Sequence, residues 1–115
     1  MRLGELLFHL TRRRGMYLPD DRFASLVSLV VGFDLASDRS QLDGFQEWVA
    51  ARLLGRYSNH VWYSILISTR LGSVTGINDL PPDADLDLIN FALELLTEFA
   101  EEKGEVIPAS LTPPS

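Results

Sequence analysis

The sequence predicts an all-α protein, a compact bundle of about five helices with a frayed C-terminal tail. Three observations carry this. Apolar residues recur at spacings of three and four in four separate segments, which is helical periodicity. The segments are separated by Gly, Pro, Asn and Asp punctuation rather than by long polar stretches. The one β-branched run, around Val27, Val30 and Val31, is long and lacks the alternation of a half-buried strand, so a helix is favoured there over the strand alternative.

Taken in order, residues 3–13 place Leu3, Leu6, Leu7 and Leu10 on one helical face. Gly15 is expected to end that helix. Residues 16–19 then read as an extended connector, because Leu18 precedes Pro19 and is biased away from helix. Asp20 or Asp21 can cap the next helix with a carboxylate that accepts first-turn N–H groups. Residues 23–35 are apolar on nearly every face, the mark of a central, buried helix. Ser37, Asp38 and Ser40 form a turn. The cleanest amphipathic helix follows, with Leu42, Phe45, Trp48, Val49 and Leu53 on its stripe and Gly55 at its end. Ser58 or Asn59 opens a fourth helix, whose face is Val61, Trp62, Ile65, Leu66 and Thr69, and Gly72 closes it. Residues 73–83 are a loop, and Asp83 caps the last helix. Its stripe is Leu86, Ile89, Leu93, Leu96 and Ala100, widened by Leu88, Leu95 and Phe99. Residues 1–105 are therefore expected to form a single helical domain and residues 106–115 a flexible tail containing Pro108, Pro113 and Pro114.

Composition bounds the chemistry. A chain of 115 residues suits one domain and buries roughly two-thirds of its unfolded surface. Hydrophobic residues make up 46% of it, too many for disorder over most of the length. The absence of cysteine excludes disulfides, thiolate metal sites and cysteine nucleophiles. A net charge of −6 argues against nucleic-acid binding, which needs a surplus of Lys and Arg. The longest apolar segment is broken by Ser25, Ser28 and Gly32 and falls short of the ~20 residues that span a bilayer, so no membrane partner is expected. The first residues lack signal-peptide grammar, and the expected location is the cytoplasm. Lys103 is the sole lysine among 10 basic residues, an Arg preference that fits a GC-rich bacterial coding bias.

No catalytic, cofactor or metal motif emerges, and the chain is expected not to be an enzyme. Asp83, Asp85, Asp87 and Glu94 fall at positions 1, 3, 5 and 12 of a calcium-loop template. Position 6, where the turn needs Gly, is Leu88, and the segment is helical, so acids in a first helical turn are the simpler reading. His60 has no ligand or base at i±3 or i±4, and His9 has only Glu5 at i−4, too few for a site. A catalytic reading would need Asp20, Asp21 and Asp34 to meet a histidine in a pocket. Arg12, Arg13 and Arg14 end the first helix, where cations complement its dipole. Tyr57 and Tyr63 lie outside the strongest stripes and could anchor an interface.

Charge segregation is the main functional lead. Glu94, Glu98, Glu101, Glu102 and Glu105 follow helical spacing and form an acidic ridge with only Lys103 near in sequence. Like charges at i and i+4 mildly destabilise a helix, so an uncompensated ridge points to a cationic partner. The residues expected to bind it are Glu94, Glu98, Glu101 and Glu102, with Asp83 and Asp87 beside them.

The residues Gly15-Met16-Tyr17-Leu18, Gly32-Phe33-Asp34, Leu42-Asp43-Gly44-Phe45 with Trp48, and Trp62 together resemble small uncharacterised bacterial proteins, some associated with polymorphic-toxin immunity loci. The resemblance covers roughly residues 14–62 and implies no catalytic assignment. It implies an immunity-type binding protein that neutralises a cognate toxin; the charge pattern adds that this partner is a basic protein met by the acidic helix face. The alternative is a homo-oligomeric structural or adaptor domain without catalysis, because the apolar stripes are wide for a bundle of this size.

Overall fold

The structure is a computed structural model. It describes residues 2–12, 14–18, 20–38, 40–72, 76–81 and 83–104, without the side chain of Met16. Arg13, Pro19, Pro82, Glu105 and the expected tail of residues 106–115 lie outside the described residues. Among the described residues there is no strand, and the protein is all-α. Five helices have ten or more residues: α1 (Leu3–Arg12), α3 (Phe23–Ala36), α4 (Phe45–Leu54), α5 (Trp62–Leu71) and α6 (Ala84–Glu102). A four-residue helix, α2 (Arg14–Tyr17), lies between the first two. The chain is therefore helical across Gly15, where an end and an extended connector were expected. No helix of the described residues is long and apolar enough to cross a membrane.

α6 is the hub. Its 19 residues pack against α1, α3, α4 and α5, while α4 and α5 also pack on each other. Being surrounded on several sides requires a wide buried arc, and the buried residues are Leu88, Ile89, Ala92, Leu95, Leu96, Phe99 and Ala100. The expected stripe is thus rotated: Ala92 lies at its centre, Leu93 is half-buried, and Leu86 is 48% exposed. The central position expected for residues 23–35 belongs to α6 instead. α3 buries only Phe23, Leu26, Val27 and Val30, and packs on α6. An apolar residue on every face gives a helix no preferred side, so its neighbours decide which side is covered.

α1 buries Leu3, Leu6, Leu7 and Leu10, the face its periodicity marks. Its Leu3 N–H donates to the Gln41 side-chain oxygen at 2.8 Å. Gly55 and Gly72 end α4 and α5 with φ of 68° and 73°, a left-handed conformation that costs glycine little. The helix starts differ from expectation. Arg22, not Asp20 or Asp21, is the cap residue of α3. The Asp20 carboxylate accepts from the Arg22 N–H at 3.1 Å and the Ser25 hydroxyl at 2.7 Å. The Ser25 bond, then the Arg22 N–H, hold its pKa below the ordinary value. The free N–H of Phe23 goes across the molecule to Asp85 Oδ1 of α6, at 2.7 Å. α4 begins at Phe45 rather than Leu42, and Leu42 N–H donates to Asp34 Oδ1 at 2.9 Å. α5 begins at Trp62, after Ser58 accepts the His60 N–H in a local turn. Asp83 stands at the cap position of α6 but forms no side-chain cap bond.

Candidate functional site

The acidic face of α6 is exposed, but it is not uncompensated as the sequence suggests. Arg52 of α4 forms an ion pair with Glu98, Nε to Oε2 at 3.2 Å. Trp48 Nε1 of α4 donates to Glu102 Oε2 at 2.7 Å. These two glutamates clasp α4 to α6 along one edge. Asp87 lies 3.8 Å from Arg70 of α5, whose guanidinium also sits 4.0 Å over the Phe91 ring. Lys103 lies over the Phe99 ring at 5.1 Å. The partners of Glu98, Glu102 and Asp87 come from other helices, out of reach of any i, i+4 reading.

The six expected binding residues therefore divide. Glu98, Glu102 and Asp87 have intramolecular partners. Asp83, Glu94 and Glu101 are exposed, and no ion pair joins them to another described residue. Surface ion pairs of this kind contribute little stability, ~0–1 kcal/mol, and are open to exchange. The face keeps six carboxylates against three cations among these groups.

A second surface was visible in the sequence only as surplus hydrophobicity. Val31 is 37% and Leu35 53% exposed on the outer side of α3. They border an open groove of roughly 400 Å³ that reaches Leu42, Phe45 and Trp62. Asp34 is the sole ionisable side chain of α3, and its carboxylate is engaged by the Leu42 N–H. The outer side of α3 is thus largely apolar, with the Asp34 carboxylate the one charge in the groove wall among the described residues.

The acids proposed for catalysis do not meet a histidine. Asp21 lies 3.8 Å from Arg14, and Asp20 and Asp34 accept the backbone bonds described above. The His9 ring lies 5.4 Å from those of both Phe8 and Tyr17, and its buried Nδ1 has no hydrogen-bond partner among the described residues. His60 lines a cavity between α4 and α5 whose wall has no carboxylate among the described residues. Among the described residues no group of three His, Cys, Asp or Glu side chains could hold a metal ion. Asp83, Asp85 and Asp87 belong to the start of α6, not to a wrapped loop. Of the two tyrosines, Tyr57 is 77% exposed, whereas Tyr63 packs edge-on against Trp62 at 5.4 Å.

Comparison with protein-family models, with characterised proteins and with solved structures gives no match.

Proposed function

We propose that this chain is a non-catalytic, cytoplasmic bacterial binding protein of the immunity type, which engages a basic protein partner through the outer face of α6. One observation carries the reading: Asp83, Glu94 and Glu101 stand on the central helix, exposed and without ion-pair partners among the described residues, in a chain of net charge −6. The helix is held by neighbours on several sides, so the charges are presented rigidly. Such a face steers association with a basic cleft of the kind a toxin acting on nucleic acids presents. The Glu94→Lys, Glu101→Lys double variant leaves every ion pair described above intact. It is expected to fold normally and to bind the partner at least about tenfold more weakly, with a shallower salt dependence. The measurement is capture from native-host lysate at low salt, followed by titration of the recovered basic protein against both forms. Equal affinity and equal salt slope for the two forms would sink the reading.

The exposure of Val31 and Leu35 supports a second reading, self-association of two copies through α3. Two such faces can meet through Val31 and Leu35, each copy bringing the single charge of Asp34, which is engaged by its own Leu42 N–H. A helix of 14 residues is about 21 Å long. Its face is smaller than the ~800 Å² per partner of a stable interface, so the dimer would be transient. Sedimentation across a concentration series is expected to show dimer at high concentration. Val31→Glu, Leu35→Glu should raise the dissociation constant more than about tenfold, because it buries like charges opposite each other. A monomer at every concentration rules this out.

A further inference from the structure

The cavity between the end of α4 and α5 differs chemically from the surface around it. The chain carries 16 Asp and Glu residues, yet among the described residues no Asp or Glu lines this space of roughly 210 Å³. Its polar wall is Arg56, Ser58, His60, Ser64 and Ser68. Leu54 and Ile65 supply an apolar side.

The polar groups are available as donors. Arg56 is exposed and pairs with no carboxylate among the described residues. A cation just after the end of α4 complements that helix's dipole, which accounts for Arg56 but not for three hydroxyls beside it. Ser58 is buried, and its Oγ accepts the His60 N–H at 3.2 Å, which leaves the hydroxyl hydrogen free to donate. Ser64 and Ser68 lie one turn apart on α5 and are half-buried. Helical hydroxyls usually satisfy themselves on the carbonyl four residues back, as Thr69 does on Ile65 at 2.7 Å. For Ser64 that carbonyl belongs to His60, which accepts from the Gln46 side-chain amide, and among the described residues neither the Ser64 nor the Ser68 hydroxyl makes such a bond.

A guanidinium, an imidazole and three hydroxyls around one space, with no carboxylate, match a group that only accepts and does so through several oxygens. The space is smaller than the ~300 Å³ at which drug-sized ligand sites begin, yet larger than a few waters at ~30 Å³ each. We propose that this cavity binds the phosphate group of a small phosphomonoester, with Arg56 and the serine hydroxyls on the phosphate oxygens and the ester carbons against Leu54 and Ile65. The site is independent of the α6 face.

The test is amide-resolved NMR titration of the full chain with inorganic phosphate and with phenyl phosphate, each against sodium chloride at matched ionic strength. Both phosphates are expected to shift amides within residues 54–68. Inorganic phosphate should saturate on the order of 1 mM or above, and phenyl phosphate about tenfold lower. Arg56→Gln should weaken both at least about tenfold, and Ser64→Ala by a few fold, while the Glu94→Lys, Glu101→Lys variant binds as the parent does. Shifts centred on Arg12 and Arg14, or unchanged affinity in Arg56→Gln with its spectrum otherwise native, would overturn the site. Inorganic phosphate bound as tightly as the phenyl ester would overturn the assignment to an ester.

Discussion

Phe45→Ala is expected to lower the unfolding free energy by about 3–5 kcal/mol, the range for deleting a buried aromatic ring. Phe45 is 1% exposed and joins three helices. Its ring centroid lies 5.0 Å from Phe99 of α6, 5.3 Å from Trp62 of α5 and 6.0 Å from Trp48 of its own α4. Removing it takes away transfer free energy and leaves a cavity whose walls are held by separate elements and cannot easily collapse. Domains of this size have only ~5–15 kcal/mol in hand, so the variant should be partly unfolded at moderate temperature. Urea denaturation followed by the fluorescence of Trp48 and Trp62 measures the loss. Leu35→Ala, on the exposed side of α3, is the control and should fall within about 0.5 kcal/mol of the parent. A loss below about 1 kcal/mol for Phe45→Ala would mean that the three-helix junction is not the core.

Periodicity was enough where a helix has one clear side. The spacing of Leu3, Leu6, Leu7 and Leu10 names the buried face of α1, and Gly55 and Gly72 mark true helix ends. It failed where apolar residues surround the helix. Residues 23–36 give no direction, and the helix is peripheral because α6 takes the hub position. α6 carries leucines outside its buried arc, so a stripe traced through Leu86 misses Ala92, which is fully buried. The acidic ridge was legible as a pattern of charges. Its compensation was not, because Arg52 is 46 residues from Glu98 and Trp48 is 54 residues from Glu102. The α5 cavity had a faint signal in Ser64 and Ser68 at i, i+4 spacing. Ser58 read there as a helix opener and His60 as a histidine without partners, and only the packing of α4 on α5 brings Arg56 and Leu54 to the same space.

Asp85→Ala is expected to cost about 2–3 kcal/mol, more than an acid in a first helical turn ordinarily contributes. The sequence offers only the dipole explanation for this residue. The structure places its carboxylate 2.7 Å from the N–H of Phe23, a residue with no exposed surface. The bond is charge-assisted, satisfies one of the orphan donors of α3, and sets a negative charge at that helix's positive end. Truncation leaves the N–H without its acceptor beside buried apolar groups. Asp85→Asn keeps an oxygen acceptor and loses the charge, so it should cost roughly half as much. Asp87→Ala, which removes an exposed pair with Arg70, should cost under about 1 kcal/mol. The location of the damage separates a tie from a general loss of stability. α3 packs on α6, and the Asp85 contact anchors its first turn, so Asp85→Ala should lower hydrogen-exchange protection in α3 well before α1, α4 and α5. Uniform loss across all helices would mean that the carboxylate supports the whole fold through α6 rather than fixing α3. Selective loss would make Asp85 the residue that sets how the apolar face of Val31 and Leu35 is presented, and Asp85→Ala should then weaken self-association even though it leaves that face chemically unchanged.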